Sequence, residues 1–396
     1  MISMKYRRFG RTELRMPVFS CGGMRYQHAW GDVAPSQIPA DNQANLEATV
    51  LRALELGIHH IETARGYGTS EVQLGRLLPK LPREQLIVQT KVSPAASSDE
   101  FVRSFERSLT NLGLDHVDLF ALHGVNNREK LDWSLKRGGC LEAALKLKQQ
   151  GLARHVGFST HATTDLIVEA IESDGFDYVN LHWYFVNPLN WGAIEAATRR
   201  DMGVFIISPN DKGGKLYAPP ARLVELCAPL TPMQFNDLYC LARPEVHTLS
   251  IGAARPSDLD EHVAALARYD DAAATIAPVE ARLRTEMESV LGRDWCERWS
   301  EGIPEYRDLP GEVNVREIVR LFTYAKSLGI VEWGKMRYNL LGHGDDWFPG
   351  NHAGDLDRPA LVHALRHSPF AGRLLEVLDE AHALLFAEPV KRLSQS

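Results

Sequence analysis

The sequence predicts an α/β protein, a closed (β/α)8 TIM barrel with an N-terminal β-hairpin and a C-terminal all-helical extension. From Val18 onward, short apolar runs alternate with amphipathic helical patterns, which is typical of parallel strands covered on both faces. Eight such runs within about 270 residues fit a closed barrel better than an open doubly wound sheet. No G-x-G-x-x-G motif follows the first run, which argues further against the open sheet.

The N-terminal elements follow from turn chemistry and helical spacing. The runs 5–9 and 14–16 flank Gly10-Arg11-Thr12-Glu13, which predicts a hairpin. The run 18–21 is the first barrel strand, and it ends in a tight turn at Gly22-Gly23. Leucine and valine at helical spacing predict the first helix at 42–57.

The remaining barrel units alternate strand and helix. The strands are predicted at 58–62, 86–91, 117–122, 153–158, 178–181, 204–207 and 246–251. The helices are predicted at 70–78, 99–112, 139–149, 163–172, 193–201 and 257–268, whereas the segments 124–138 and 209–245 show no readable pattern. We therefore expect a barrel domain over 1–271.

The pattern changes near Asp270. Helices are predicted at 272–291, 315–328, 359–365 and 370–386, with an aromatic loop at 295–313 and another at 347–350. A second, helical domain is thus expected over 272–396, long enough for a small domain or a helical cap.

Composition excludes several functional classes. The net charge is −7 without a basic cluster, so neither nucleic acid nor an anionic membrane is an expected partner. The five cysteines are widely spaced and form no C-x-x-C pair, which argues against a disulfide framework and against a zinc or iron–sulfur site. No run approaches about 20 apolar residues and no signal peptide is visible, so we expect a cytoplasmic protein; its oligomeric state stays open.

Polar side chains occur where the predicted strands end. Glu62, Lys91 and His123 follow the second, third and fourth strands, and Tyr67 lies on the loop after Glu62. The carboxyl ends of barrel strands meet in one mouth, so these four side chains should lie together. Taken singly, each would more often be structural.

This group suits carbonyl chemistry. A free tyrosine has a pKa of about 10, and a nearby ammonium lowers the pKa of a phenol. A carboxylate paired with the lysine would keep the ammonium charged and oriented. A neutral histidine can donate a hydrogen bond to a carbonyl oxygen and polarise it.

The same residues resemble a known family. The run E-T-A-R-G-Y-G followed by S-E-x-x-L-G is similar to the aldo-keto reductase motif D-T-A-x-x-Y-G followed by S-E-x-x-L-G. Thr90-Lys91, Leu122-His123 and the opening KYRRFGRTELRMPVFSCGG also resemble that family, over residues 4 to 268 in all. The resemblance implies that Tyr67 donates the proton, Lys91 lowers the pKa of Tyr67, and His123 orients the carbonyl.

Glu62 departs from the family pattern, which has Asp at this position. The extra methylene moves the carboxylate by about 1.5 Å. Either the site absorbs this shift or the pairing with Lys91 is displaced, and displacement on this scale can lower a rate about 100-fold.

The resemblance also implies a nicotinamide cofactor, NADP(H) in preference to NAD(H), across the barrel mouth. Ser159 and Asn180 would contact the carboxamide, and Trp183 would stack on the nicotinamide. The loop over the pyrophosphate would contain Ser208, Lys212 and Gly213. Arg255 precedes a helix N-terminus suited to the adenosine phosphate, and Glu261 would contact the adenine.

The C-terminal stretches RLFTYAKSLG, RYNLLG and WFPG resemble the ferredoxin-like extension of one branch of that family. That branch holds a [4Fe–4S] cluster, which needs about four thiolates. Cys296 is the one cysteine in the corresponding stretch, so no cluster and no other metal site is expected.

Two functions follow from this resemblance. One is an NAD(P)H-dependent oxidoreductase that transfers hydride between nicotinamide and an aldehyde, ketone or alcohol. The alternative is a nicotinamide-binding regulatory or interaction protein with weak or no turnover.

Overall fold

The computed structural model describes residues 3–387, and contacts divide the chain into two units. The first comprises Met1–Pro209 with Asn236–Ala272, and the second comprises Asn210–Phe235 with Ala273–Ser396. The segment 210–235, which the sequence placed in the barrel domain, therefore groups with the C-terminal helices. The domain boundary that the sequence suggests between residues 271 and 272 remains a prediction.

The first unit contains a hairpin and a closed barrel, as predicted. In the hairpin, β1 (Tyr6–Arg8) pairs antiparallel with β2 (Arg15–Pro17). The barrel strands are β3 (Phe19–Gly22), β4 (His60–Glu62), β5 (Ile87–Val92), β6 (Val117–Leu122), β7 (Ala153–Ser159), β8 (Tyr178–Leu181), β9 (Gly203–Ile206) and β10 (Thr248–Ile251). They pair in parallel in chain order, and β10 closes the ring against β3.

The helices alternate with these strands. They are α1 (Ala40–Glu55), α2 (Ser70–Leu74), α3 (Ser98–Leu112), α4 (Arg128–Leu135), α5 (Cys140–Gln149), α6 (Thr164–Glu172), α7 (Trp191–Arg199), α8 (Ala221–Cys227), α9 (Pro232–Leu241) and α10 (Asp258–Ala265). Side-chain caps fix two of the starts: Ser97 accepts from the Glu100 amide, and Asn127 accepts from the Lys130 amide at 2.9 Å.

The hairpin packs against the barrel core. Phe9 and Met16 belong to the same buried cluster as Leu119, Tyr178 and Phe205, which lie on three barrel strands. A Cβ at Gly203 would lie 2.6 Å from the Phe9 ring, so this strand can approach the hairpin only as glycine. The hairpin therefore fills one end of the barrel and leaves the carboxyl ends of the strands for the site.

The second unit is helical. Beyond the segment 210–235 it contains α11 (Ala272–Leu291), α12 (Arg293–Arg298), α13 (Val315–Leu328), α14 (Val331–Tyr338), α15 (Arg358–Ala364) and α16 (Ala371–Leu385). Asn314 caps α13, which is buried along most of its length. No helix within residues 3–387 is long and apolar enough to cross a membrane.

Several elements differ from the sequence prediction. The segment 124–138 contains α4, the segment 209–245 contains α8 and α9, and the stretch expected as a loop after residue 294 begins inside α12. Most residues of α9 are buried, so it has no polar face to produce a helical period. Tertiary burial, rather than local pattern, explains these misses.

Candidate active site

The ends of β4 and β5 bring Glu62 and Lys91 into contact. The strands are neighbours in register, with Glu62 opposite Gln89, so the two side chains enter the barrel mouth side by side. Lys91 Nζ pairs with Glu62 Oε1, and the two side chains are only 2% and 4% exposed. The longer glutamate side chain thus reaches Lys91.

The Lys91 ammonium has two further neighbours. It donates to the Thr63 carbonyl at 2.8 Å and lies 4.7 Å from the centre of the Tyr67 ring. Burial lowers the pKa of Lys91 well below its usual value, because desolvation disfavours the charged amine. Contact with the Glu62 carboxylate acts on that pKa in the opposite direction.

Tyr67 is fixed by a tight loop after β4. Its amide donates to the Ala64 carbonyl at 3.0 Å, and Gly68 adopts a φ of +53° directly against the Ala29 carbonyl. The residue as a whole is half-buried, and desolvation of its phenol raises the pKa of Tyr67. This direction is opposite to the lowering expected from Lys91, so in this structure burial is the larger effect on the phenol.

His123 completes the predicted group. Its amide donates to the Val92 carbonyl at 2.7 Å, which extends the pairing of β5 and β6 into the mouth. The imidazole packs edge-on against the Tyr67 ring, with centroids 5.5 Å apart and planes at 84°. Tyr67 therefore lies between an ammonium and an imidazole.

Two residues suit the carboxamide of a nicotinamide. Asn180 near the end of β8 is fully buried, and within the described chain neither of its amide atoms has a hydrogen-bond partner. Buried polar groups are nearly always paired, so these atoms fit a ligand that can both donate and accept. Ser159 ends β7 and accepts from the Gly124 amide at 3.0 Å, with its hydroxyl proton available to a neighbour.

Trp183 is nearly fully buried among aromatic side chains. It is 4% exposed, stacks on Tyr239 of α9 at 5.1 Å and packs against Trp191 at 5.0 Å. At least one face of the indole is thus covered by protein, and the predicted stacking on nicotinamide stays a prediction. Ser208 lies just after β9 with a φ of +53°, at the start of the predicted pyrophosphate loop.

The other predicted cofactor residues divide between the units. Lys212 and Gly213 belong to the second unit, where the Lys212 carbonyl accepts from Trp333 Nε1 at 3.0 Å. Arg255 and Glu261 are exposed near the start of α10 in the first unit, and Arg255 donates to Asp258 at 3.0 Å.

Two residues beside Glu62 were missed at the sequence level. Ser250 on β10 donates to Glu62 Oε2 at 3.5 Å, and Gly22 on β3 leaves the space that Oε2 borders. Ser250 is the polar residue near the end of the eighth strand, so the reasoning applied to the other strand ends could have found it. Gly22 was interpreted only as part of a turn.

Known proteins resemble this chain in sequence and in fold. The model of the Aldo/keto reductase family matches residues 20–209. An aldo-keto reductase of Mycolicibacterium vanbaalenii is 32% identical over 207 residues, 49% of this chain and 68% of that protein. The L-glyceraldehyde 3-phosphate reductase of Escherichia coli K12 is 27% identical over 234 residues, 53% of this chain and 62% of that protein. The chain therefore belongs to the aldo/keto reductase family, which places it among oxidoreductases that act on carbonyl groups.

A solved structure shows the same fold. The aldo-keto reductase of Klebsiella pneumoniae in complex with NADPH is 20% identical, with a TM-score of 0.55 over 67% of this chain and 90% of that one. The match of the family model ends at residue 209, within the first unit. The chain spans about six tenths of the length of the E. coli relative.

Proposed function

We propose that the protein is an NAD(P)H-dependent oxidoreductase that interconverts an aldehyde or ketone and its alcohol, with Tyr67 as the proton donor. The observation that carries the proposal is the placement of the Tyr67 ring 4.7 Å from Lys91 Nζ and 5.5 Å from the His123 ring. Lys91 is in turn paired with Glu62, so all four predicted catalytic residues form one connected group.

When bound, a nicotinamide would supply the hydride for the carbonyl carbon, and the residues of the site would bind and polarise the substrate. The Tyr67 hydroxyl donates its proton to the carbonyl oxygen, which yields the alcohol. The Lys91 ammonium stabilises the phenolate that remains, and Glu62 keeps that ammonium in place. His123 donates a hydrogen bond to the carbonyl oxygen and holds it towards Tyr67. Oxidation of an alcohol reverses each step.

The cofactor residues have separate roles. Asn180 and Ser159 would hold the carboxamide and so select the face of the nicotinamide that points to the substrate. Ser208, Lys212 and Gly213 would cover the pyrophosphate, and Trp183 would border the ring. Arg255 and Glu261 would contact the adenosine end. Arg255 is paired with Asp258 at 3.0 Å, so NADP(H) is only modestly preferred over NAD(H).

A comparison of two tyrosine variants tests the proposal. Purified protein is assayed with NADPH and a panel of small aldehydes, beside Tyr67→Phe and the control Tyr178→Phe, which removes a hydroxyl buried in β8. Loss of a general acid costs about 100- to 10,000-fold, so kcat should fall by that amount in Tyr67→Phe and change little in Tyr178→Phe. NADPH affinity should persist in both variants.

Three other results would change the assignment. If wild type and Tyr67→Phe turn over equally while NADPH binds, the proton-donor role is wrong. If wild type binds NADPH and reduces no aldehyde, the alternative of a nicotinamide-binding regulatory protein is favoured. Protein that binds no nicotinamide nucleotide would reject both.

The second unit is proposed to be a ferredoxin-like extension that carries no iron–sulfur cluster. Cys296 lies half-buried in α12, and within residues 3–387 no group of three His, Cys, Asp or Glu side chains is placed to hold a metal ion. Iron content and visible absorbance of anaerobically purified protein test this: about four irons per chain with a broad band near 400 nm would contradict it. The cytoplasmic location likewise stays a proposal, testable by cell fractionation.

A further inference from the structure

Four neighbouring strand ends surround the Glu62 carboxylate. In barrel order these strands are β10, β3, β4 and β5, and they contribute Ser250, Gly22, Glu62 and Lys91. Gly22 lies directly opposite Glu62 in the register of β3 and β4. The carboxylate therefore has Lys91 on one side, and Gly22 and Ser250 on the other.

The space beside Gly22 accommodates the length of the glutamate. A Cβ placed on Gly22 would lie 3.2 Å from Glu62 Oε2 and 2.8 Å from Ser250 Oγ, both closer than a relaxed contact. Ser250 Oγ itself lies 3.5 Å from Oε2 and can donate to it. Glu62 is thus long enough to contact Lys91 with one oxygen while the other occupies the recess formed by Gly22 and Ser250.

We propose that Gly22 and Ser250 are positioning residues that adapt this site to Glu62, by taking up the extra methylene and orienting the carboxylate on Lys91. The inference rests on the proposed function, because it assigns Lys91 a role in the proton transfer by Tyr67. The proposal explains how Glu62 keeps its ion pair with Lys91, although the related motif has aspartate at this position.

The recess leads us to expect that the aspartate of the family motif would suit position 62 less well than glutamate does. An aspartate at position 62 would withdraw the carboxylate by about 1.5 Å and leave the recess empty. Lys91 is held independently by the Thr63 carbonyl at 2.8 Å, so it is not free to follow the carboxylate. Glu62→Asp should therefore lower activity, although it restores the motif of the family.

The first experiment compares two hydroxyl deletions on β10. Ser250→Ala removes the donor to Glu62, whereas Thr248→Val removes a buried hydroxyl two residues earlier that contacts Ser20 Oγ at 2.8 Å. For Ser250→Ala we expect kcat/KM with NADPH and an aldehyde to fall about 3- to 10-fold, which corresponds to the loss of one long hydrogen bond of ordinary strength. The acidic limb of its pH profile should move to higher pH, because the carboxylate loses a donor. Thr248→Val should retain the wild-type rate and profile.

The second experiment is a double-mutant cycle of Gly22→Ala and Glu62→Asp. In the wild-type background Gly22→Ala should lower kcat/KM at least 10-fold, because its methyl group meets Glu62 Oε2. With Asp at position 62 the same methyl group should cost several-fold less, because the contact with Oε2 is then gone and only those with Ser250 Oγ and the Ile251 carbonyl remain. A residue with only a general structural role would cost the same in both backgrounds.

Three results would overturn the inference: Glu62→Asp at least as active as wild type, equal effects of Gly22→Ala in both backgrounds, or identical pH profiles for Ser250→Ala and Thr248→Val. This test can fail independently of the test of the proposed function. If wild type reduces no aldehyde, the same cycle is measured by urea unfolding, where the recess still predicts that Gly22→Ala destabilises the protein more with Glu62 than with Asp.

Discussion

Breaking the ion pair of Glu62 and Lys91 should destabilise the protein far more than breaking an exposed pair. Both side chains are nearly fully buried, so Lys91→Met leaves a carboxylate without its counter-charge in the barrel mouth. Removing one partner of a buried pair costs about 3–5 kcal/mol. Domains are stable by about 5–15 kcal/mol, so this loss should be large and readily measured.

The double variant Lys91→Met/Glu62→Gln removes both charges. Because a neutral pair of similar size can replace a buried ion pair at little cost, it should recover more than half of the loss caused by Lys91→Met. The exposed pair of Arg128 and Glu169, joined at 2.6 Å with side chains about half exposed, is the control, and Arg128→Met should cost about 0–1 kcal/mol.

Urea unfolding followed by circular dichroism and tryptophan fluorescence measures these differences, with two probes because the chain has two units. If Lys91→Met costs no more than Arg128→Met, the buried pair is not a charged, coupled pair. If the double variant is as unstable as the sum of the single changes, the same conclusion follows. Lys91 would then not be held as a charged ammonium beside Tyr67.

Two further predictions concern the Tyr67 loop and the barrel interior. Gly68→Ala would place its Cβ 1.8 Å from the Ala29 carbonyl, so kcat should fall at least 10-fold; Gly138→Ala, at a φ of +71° in open space, should cost about 1 kcal/mol of stability and leave kcat unchanged. Burial lowers the pKa of His60 to about 3 and that of His247 to about 4, so both stay neutral when folded but gain a proton when unfolded below about pH 6.5. The free energy of unfolding should therefore fall as pH drops from 6.5 towards 4, and His60→Gln should flatten this slope in urea titrations. Equal kcat for the two glycine variants, or an unchanged slope in His60→Gln, would contradict these expectations.

The barrel and its four central side chains could be predicted because each signal is local. Most barrel strands contain a short apolar run bounded by turns, and β4 is preceded by Ile58. Glu62, Lys91 and His123 each stand at a strand end, and the fold rule alone brings such positions together. The structure then added the distances that the sequence does not contain.

What the sequence could not supply depends on packing between distant segments. Tyr239 of α9 covers one face of the Trp183 ring, and the sequence did not indicate this contact because α9 has no readable helical period. The grouping of 210–235 with the C-terminal helices arises from contacts such as that of Trp333 with Lys212, 121 residues apart in the chain. The proposed compensation of Glu62 by Gly22 and Ser250 likewise depends on side-chain distances across three neighbouring strands, which the sequence does not contain.

The most direct test of the central claim is a crystal structure of the protein with bound NADP⁺. We expect the carboxamide to bind Asn180 and Ser159. The hydride-accepting carbon of the nicotinamide should face the space in front of the Tyr67 hydroxyl, with Lys91 still paired to Glu62. A nicotinamide that lies away from Tyr67, or a Tyr67 out of reach of Lys91 when the nucleotide is bound, would contradict the central claim.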